Sequence, residues 1–307
     1  MKIVLAGGSG FIGGSLKKSL ESKGISVTII SRTAGENCIT WKQLKSDGLP
    51  RCDAVINLAG ASVMGRSWSK RYKEEMLSSR VETSKALAEA IGAAARPPKV
   101  FINASAVGYY SPSLTESYSE FGRPGKTFLG TLCQAWEAAS LLPAKTKTRR
   151  VIIRIGVVLG NGGALARMRL PFKLGLGGAI GDGQQPFPWI HIEDLVGIFE
   201  HALTHEDLDG VLNAVAPAQV TNGEMTQALA CALHRPAFFR VPAFALKLFL
   251  GERALLLLEG QKVLPQATLA SGYRFRFPQL DKALQNIFLP EGKCQKVESK
   301  AKSGFFY

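Results

Sequence analysis

The chain has 307 residues, of which 46% are hydrophobic and 20% are charged, and its formal net charge at pH 7 is +14. This length suits one large domain or two smaller ones, and the composition is that of a globular protein with enough chain to bury a core. No run of about 18 apolar residues occurs, so we expect no membrane span. The first apolar run begins at Ile3, and we therefore expect no signal or transit peptide.

The positive charge has three possible explanations: nucleic-acid binding, an anionic ligand, or a basic surface without a role. The basic residues are spread along the chain rather than gathered into a block. The sequence contains no zinc finger, helix-turn-helix signature or aromatic RNA-binding motif. We therefore expect no nucleic-acid partner, and a phosphate-rich ligand would account for a few of the positive charges.

The cysteines are scattered and no pair of them has the spacing of metal ligands: Cys38, Cys52, Cys133, Cys231 and Cys294. This pattern is typical of reduced thiols in an intracellular protein. We expect a cytoplasmic location, with an organelle as the open alternative, and no bound metal.

Predicted strands and helices alternate in the first half of the chain. Strands are predicted at residues 2–6, 25–31, 53–59, 100–104 and 151–155, and helices at 11–22 and 81–95. The alternation predicts an α/β fold with a doubly wound parallel sheet of the Rossmann type. We assign residues 1–160 to this domain.

The second half has a looser pattern. Glycine and proline cluster between residues 160 and 188, and helices are predicted at 194–204, 223–233 and 243–258. We expect residues 161–289 to form a smaller, mainly helical substrate domain. The polar, lysine-rich residues 290–307 are predicted to be a disordered tail.

A glycine-rich turn follows the first predicted strand and opens the first predicted helix. Its glycines stand at Gly7, Gly10 and Gly13. In a dinucleotide-binding turn the first glycine permits the tight turn, the second lets the backbone approach the pyrophosphate, and the third lets helix and strand pack closely. The helix N-terminus then offers N–H groups to the phosphates. Alternatively, this is an ordinary glycine-rich turn between a strand and a helix.

The end of the second predicted strand indicates which dinucleotide is bound. Enzymes that use NAD place an acidic residue there for the ribose 2′-hydroxyl, whereas this chain has Ser31 and Arg32. A hydroxyl and a guanidinium bind a 2′-phosphate, which favours NADP. Alternatively, Arg32 is a solvated surface residue. Leu58 and Ala59 end the next strand, where small residues can lie against adenosine or ribose.

Residues 7–13, 57–60 and 188–195 resemble the extended short-chain dehydrogenase/reductases, a family that includes nucleotide-sugar epimerases. Residues 258–265 and 272–278 resemble a C-terminal module of one atypical branch of that family. The resemblance covers residues 1–289, and it implies an NADP site formed by the glycine turn and residues along the same edge: Gly7, Gly10, Phe11, Ile12, Gly13, Ser31, Arg32, Leu58, Ala59, Glu75, Arg80 and Val158. From the residues alone, Arg80 is equally a solvated cation just ahead of the helix predicted at 81–95.

The catalytic Tyr-x-x-x-Lys pair of that family is absent. Aligned on Glu137, the pair falls on Leu129 and Cys133, which have neither a phenol nor a fixed positive charge. The replacement candidates are Ser105, which follows the strand predicted at 100–104, and one of the two tyrosines just after it, Tyr109 or Tyr110.

The tyrosine candidates have a plainer interpretation. Tyr109 and Tyr110 are alternatively packed aromatic residues. A further polar pair, His191 and Asp194, is interpreted first as a packed histidine and as a helix cap or first-turn carboxylate.

The sequence thus predicts an NADP-dependent oxidoreductase or nucleotide-sugar-epimerase-like enzyme. Its expected partner is an unidentified small-molecule substrate, with no membrane partner and with a homodimer left open. The alternative is a non-catalytic NADP-binding sensor or scaffold.

Overall fold

The computed structural model describes residues 1–288. Its strands are, in chain order, β1 (Lys2–Ala6), β2 (Ser26–Ser31), β3 (Cys38–Thr40), β4 (Ala54–Asn57), β5 (Val100–Ala106), β6 (Ser117–Tyr118), β7 (Arg149–Ile155), β8 (Val157–Leu159), β9 (Gly178–Ile180), β10 (Trp189–His191), β11 (Gly210–Ala214), β12 (Phe239–Val241) and β13 (Lys262–Val263). Its α-helices are α1 (Phe11–Ser22), α2 (Trp41–Asp47), α3 (Lys70–Ala93), α4 (Phe128–Ala139), α5 (Gly163–Lys173), α6 (Ile192–Thr204), α7 (Asn222–Leu233), α8 (Ala243–Leu250), α9 (Leu255–Leu258), α10 (Gln266–Ala270) and α11 (Leu280–Phe288). Short 3-10 helices cover Val107–Tyr109 and Gly251–Ala254. The predicted tail, 290–307, lies outside the described residues.

Seven parallel strands form the central sheet, in the order β11-β7-β5-β4-β1-β2-β3. The strand order reverses between β1 and β4, since β2 and β3 lie on one side of β1 and the later strands lie on the other. Ligands of open parallel sheets bind outside the carboxyl ends of the strands at such a reversal. The sheet therefore places the residues after β1, β2 and β4 at the expected ligand edge.

Helices cover both faces of the sheet, which explains why the central strands β1 and β4 are mainly apolar. On one face, Leu16 of α1 and Phe199 of α6 pack against Leu5, and all three are 0% exposed. On the other face, Leu87 and Ile91 of α3 belong to the buried cluster around β1, β4 and β5. Each fully buried side chain of this kind contributes about 1.5–3 kcal/mol to the stability of the fold. The doubly wound α/β architecture predicted from the sequence is confirmed.

Two predicted helix boundaries were wrong. The helix predicted at 81–95 begins eleven residues earlier, because the Ser69 hydroxyl accepts the Tyr72 N–H and caps the helix start. Arg80 therefore lies inside α3 rather than ahead of it. The helix predicted at 243–258 is interrupted after Leu250, where Gly251 has a φ of 57° that no continuing helix adopts.

The part of the chain after residue 160 contributes to the same sheet. Strand β11 pairs with β7, with Gly210 opposite Val151, and α6 covers the sheet beside α1. Both predicted regions thus share the sheet, and their division into two domains stays a prediction. A separate apolar cluster joins α5, α7 and α11, so the remaining C-terminal part is small and mainly helical. None of the helices in residues 1–288 has the length and apolar composition that a bilayer crossing requires.

Candidate functional site

The glycine turn joins β1 to α1 in a compact arrangement. Gly7 has a φ of 82°, and a Cβ there would come within 2.6 Å of the Leu58 carbonyl carbon. A Cβ on Gly13 would overlap the carbonyl oxygen of Gly7, so the helix approaches the turn more closely than any larger residue permits. A Cβ on Gly10 would meet only the Gly7 carbonyl, at an ordinary 3.5 Å. The space beside Gly10, which immediately precedes α1, is therefore open to a ligand.

The next two residues of the motif hold α1 in place. The ring of Phe11 lies against the glycines after β8, and a Cβ on Gly160 would come within 2.9 Å of it. Ile12 is half-buried and packs on the core beneath the sheet. Val158 lies opposite Ile190 in the two-stranded pairing of β8 with β10. These contacts bring the first and second halves of the chain together beside the glycine turn.

The end of β2 carries a hydroxyl and an exposed guanidinium. The Ser31 hydroxyl accepts the Thr33 N–H at 3.1 Å and donates to the Thr33 carbonyl, which folds the chain into a tight turn. Arg32 is exposed in that turn. The end of β2 therefore carries no carboxylate, and it presents the long, positively charged side chain of Arg32 to solvent.

A buried polar network shapes the end of β4. The Asn57 side-chain amide donates to Ser84 on α3 and to Asn103 on β5, both at 2.9 Å. The Asn57 side-chain oxygen accepts the Ala59 N–H at 3.1 Å, so it fixes the turn that holds Leu58 and Ala59 beside Gly7. Both of these turn residues are half-buried. The sequence pattern predicts the turn, whereas the role of the Asn57 amide in orienting it is visible only in the structure.

Helix α3 presents two of the predicted cofactor residues in different settings. Glu75 is exposed and lies 3.6 Å from Arg66. Arg80 is only 8% exposed, donates to the Met76 carbonyl at 3.0 Å, and lies 4.9 Å from the centre of the Trp136 ring. A Cβ on Gly60 would come within 3.0 Å of the Arg80 guanidinium, which places this cation at the end of β4.

The charge of Arg80 is incompletely compensated. Its Nε is buried and has no hydrogen-bond partner among the described residues. Burial lowers the pKa of Arg80, and its electrostatic interactions with Cys133 and Tyr72 offset only part of that effect. The interpretation of Arg80 as a solvated cation is therefore wrong, because the residue is enclosed by α3, α4 and the end of β4.

The positions of the missing catalytic pair lie on α4 and are chemically inert. The Leu129 side chain packs over Gly108, and the Cys133 thiol donates weakly to the Ala106 carbonyl. Burial, followed by the nearby charge of Glu137, raises the pKa of Cys133 to about 11. Neither residue can transfer a proton near neutral pH.

Ser105 lies at the end of β5 and belongs to a buried charged network. Its hydroxyl donates to Glu137 at 2.6 Å, and Arg154 donates to the two oxygens of the same carboxylate at 2.8 Å each. Burial opposes the charge on Arg154, but the hydrogen bonds and the charge of Glu137 outweigh it and raise the pKa of the guanidinium. The Ser105 hydroxyl proton is thus committed to Glu137.

The two adjacent tyrosines have different roles in this network. Tyr110 is 0% exposed; its hydroxyl donates to Asn213 at 2.8 Å and accepts from Arg154 at 2.9 Å, and burial raises its pKa. Tyr110 is a packed structural residue. Tyr109 is half-buried, its ring lies 3.4 Å from the Arg154 guanidinium carbon, and its hydroxyl has no hydrogen bond to residues 1–288.

His191 and Asp194 anchor the start of α6. The His191 Nδ1 accepts the Glu193 N–H at 3.1 Å, and its ring lies 4.0 Å from that of Phe277. Asp194 is 0% exposed and accepts the backbone N–H groups of Arg276 and Phe277 at 2.7 and 2.9 Å. Burial lowers the pKa of His191. His191 is packed as expected, but it is His191 and not Asp194 that caps α6. Asp194 is a buried first-turn carboxylate that fastens the C-terminal module to the sheet.

Two members of the site, Arg154 and Glu120, are not predicted from the sequence. Arg154 is 3% exposed near the end of β7, after the apolar run 151–153, and a charge directly after such a run is the available signal. Glu120 is 6% exposed, and its carboxylate accepts the backbone N–H groups of Asn213 and Thr268. No motif marked Glu120, because its partners lie far along the chain.

The sequence matches two protein families in consecutive stretches. Residues 3–214 match the NAD dependent epimerase/dehydratase family. Residues 241–287 match a domain of unknown function, DUF1731, which is the C-terminal module that the sequence analysis had singled out.

Relatives named as epimerase family proteins match most of the chain. The chain is 50% identical to the epimerase family protein SDR39U1 of Bos taurus over 293 residues, which is 94% of this chain and 99% of the relative. It is 38% identical to a homologue of Arabidopsis thaliana described as chloroplastic, covering 94% of this chain and 86% of that one. It is 37% identical to the epimerase family protein YfhF of Bacillus subtilis, covering 94% and 98% of the two chains.

Solved structures agree with the fold. The human epimerase family protein SDR39U1, crystallised with NADPH, superposes with a TM-score of 0.91 at 48% identity over 94% of this chain and 99% of that one. A UDP-N-acetylglucosamine 4-epimerase of Bacillus cereus superposes with a TM-score of 0.73 at 17% identity, over 94% and 98% of the chains, which shows a shared fold alone. The chain therefore belongs to the NAD dependent epimerase/dehydratase family, in the branch of the SDR39U1 epimerase family proteins.

Proposed function

We propose that the chain binds NADP at the carboxyl edge of the sheet and that it is an oxidoreductase or epimerase-like enzyme acting on a small molecule. The observation that carries the proposal is the pairing of an open glycine turn at Gly10 with Ser31 and Arg32, where no carboxylate opposes a 2′-phosphate. The human relative, 48% identical, was crystallised with NADPH, the cofactor that these residues favour.

The residues at this edge fit such a cofactor. The N–H groups at the start of α1 would hold the pyrophosphate, and Arg32 would bind the 2′-phosphate. The buried, unpartnered Nε of Arg80 fits an additional polar group at the end of β4. The complete proposed set is Gly7, Gly10, Phe11, Ile12, Gly13, Ser31, Arg32, Leu58, Ala59, Glu75, Arg80 and Val158.

Arg80 is the proposed replacement for the missing catalytic lysine. The guanidinium lies 4.9 Å from Trp136, one helical turn beyond the Cys133 position where the lysine would stand. A cation enclosed at this point would attract the negative charge that develops on a substrate oxygen. The residue would supply charge without donating its own proton, since a guanidinium remains protonated in proteins.

NADPH would supply the hydride in one direction and NADP⁺ would accept it in the other, and side chains of the protein would have to transfer the proton. Tyr109 is the proposed proton donor. Its hydroxyl has no hydrogen bond within residues 1–288, whereas the Tyr110 hydroxyl is bonded to Asn213 and Arg154. Ser105 would accept a hydrogen bond from the substrate, because its own proton is committed to Glu137. Residues 161–289 would provide the substrate side of the cleft.

A second candidate function is a non-catalytic NADP-binding sensor or scaffold. Leu129 and Cys133 favour it, because the family's usual proton-transfer pair is absent. The two candidates share the cofactor site and differ only in turnover.

The deciding experiment measures binding and turnover on the same preparation. NADPH and NADH are titrated by calorimetry, and NADPH oxidation is then followed with a panel of nucleotide sugars, quinones and aldehydes. Tight NADPH binding with turnover supports the enzyme, and tight binding without turnover supports the sensor. Absence of NADPH binding by folded protein would overturn both.

A further inference from the structure

Exposed apolar side chains gather in two segments of the C-terminal half, residues 163–181 and 234–250. Phe238 is 89% exposed, and Phe249 and Leu248 are 80% and 78% exposed. Eight of the large hydrophobic residues that residues 1–288 leave exposed belong to these two segments: Leu170, Leu174, Leu176, Phe238, Phe239, Phe244, Leu248 and Phe249. We refer to these eight residues as the apolar face.

The two segments are adjacent in space. Strand β9 pairs with β12, and Gly178 stands opposite Phe239. Leu176 lies two residues before β9, and α8 follows β12 directly after Pro242. The ladder between β9 and β12 therefore joins the leucines after α5 to the phenylalanines before and within α8.

Helix α8 contributes apolar side chains without burying any residue. Phe244 and Leu248 are four residues apart and so lie on one side of the helix, with Phe249 next to them. A helix with this composition is normally buried, whereas none of the eight residues of α8 is. Contiguous exposed apolar surface of this kind marks a site of interaction.

The charges of the same segments have a single sign. Residues 163–181 and 234–250 contain six lysines and arginines and no aspartate or glutamate. The six are Arg167, Arg169, Lys173, Arg235, Arg240 and Lys247. Arg169 is engaged with the Phe288 ring at 5.3 Å, and Arg167 donates to the Met64 carbonyl. Lys173, Arg235, Arg240 and Lys247 are exposed around the apolar face.

We propose that the apolar face docks on an anionic lipid bilayer, with its phenylalanines and leucines in the interface and its cations against the headgroups. This combination of exposed aromatic and aliphatic side chains with lysine and arginine is what binds interfacial segments to anionic membranes. A second copy of the chain would present the same positive charge to this face, so charge opposes self-association through it. Such docking is peripheral and requires no membrane-spanning helix.

Vesicle co-sedimentation of the full-length chain tests the proposal. Wild-type protein should sediment with vesicles of phosphatidylcholine and phosphatidylserine, but not with phosphatidylcholine alone, and salt should release it. The double variant Leu248→Ser, Phe249→Ser should lose at least about tenfold in vesicle binding, because both its side chains are removed from the interface. The charge variant Lys173→Glu, Lys247→Glu should lose binding to the anionic vesicles as well.

The matched control is Phe121→Ser, which removes a phenylalanine that is 90% exposed outside the apolar face. This control should sediment as the wild type does. Wild-type sedimentation of the Leu248→Ser, Phe249→Ser variant, with its circular dichroism unchanged, would overturn the proposal and assign lipid binding to other basic residues. Failure of the wild type to bind anionic vesicles would also overturn the proposal. The apolar face would then belong to another interaction, with an acidic protein or with a second copy of the chain, and sedimentation velocity would detect the dimer.

Discussion

Glu137 and Arg154 form a two-pronged ion pair inside the protein, with both hydrogen bonds at 2.8 Å. Their side chains are only 13% and 4% exposed. The pair lies directly behind Ser105 and Tyr109, the two residues proposed to meet the substrate. It therefore connects the stability of the fold to the geometry of the site.

Glu137→Gln should destabilise the protein by about 3 kcal/mol or more, because the guanidinium of Arg154 would stay buried without a compensating charge. The free energy of unfolding measured in urea tests this expectation. Glu89→Gln is the matched control, since Glu89 pairs with Lys85 at 3.9 Å on the exposed face of α3 and should change stability by less than about 0.5 kcal/mol. Equal effects of the two variants would mean that the buried pair is solvated.

Arg32→Ala should weaken NADPH binding by about 1.5–3 kcal/mol, which is roughly 10- to 150-fold in Kd, because a charge-assisted bond to the 2′-phosphate is lost. NADH binding should change little, so calorimetry with both cofactors separates this effect from misfolding. Arg51→Ala removes another exposed arginine, ahead of β4, and serves as the control. Equal wild-type affinities for NADPH and NADH would refute the assignment of Arg32.

Gly10→Val should abolish dinucleotide binding while the protein stays folded. The added Cβ meets only the Gly7 carbonyl at 3.5 Å, so the turn accepts it, but the side chain would occupy the space proposed for the pyrophosphate. Gly14→Val is the control, because Gly14 lies on the exposed side of α1 with no close neighbour. Retained NADPH affinity in folded Gly10→Val would place the phosphates elsewhere.

The thiols should differ sharply in reactivity in the native protein. Cys231 is exposed on α7, whereas burial raises the pKa of Cys133 to about 11, so at neutral pH Cys133 is a protonated and inaccessible thiol. Iodoacetamide followed by mass spectrometry should modify Cys231 in the native protein and Cys133 only after denaturation. Rapid modification of Cys133 in the native protein would show that α4 opens, and it would contradict the description of Cys133 as an inaccessible thiol.

The sheet and the glycine turn could be predicted from the sequence because their signals are local. Short apolar runs mark the strands, and Gly7, Gly10 and Gly13 mark the turn between β1 and α1. The boundary of α3 was missed because the cap at Ser69 lies in a polar stretch that resembles a loop. The strand β11 was missed because the short run at 210–214 acquires its strand conformation by pairing with β7.

The chemistry of the site was harder to predict because its contacts are long-range. Arg154 meets Glu137 and Tyr110 across 17 and 44 residues of sequence, and Glu120 meets Thr268 across 148. Spacing rules apply within one helix or strand, so they cannot identify partners contributed by separate elements. The burial of Arg80 depends likewise on the approach of Trp136 from α4.

Catalysis, once a substrate is found, should depend on Tyr109 and Ser105 but not on Cys133. Tyr109→Phe removes the one hydroxyl of the tyrosine pair that has no partner within residues 1–288, and kcat should fall about 10²–10⁴-fold if this phenol donates the proton. Ser105→Ala removes a hydrogen bond to the substrate and also one to Glu137, so both its KM and its urea stability should be measured.

Cys133→Ala should keep turnover, because a buried thiol whose pKa is raised to about 11 transfers no proton near neutrality. Tyr118→Phe is the matched phenol control, since the Tyr118 hydroxyl is held by Glu116 at 2.6 Å. Full turnover by both Tyr109→Phe and Ser105→Ala would move the proton donor to another residue and leave these two with structural roles alone.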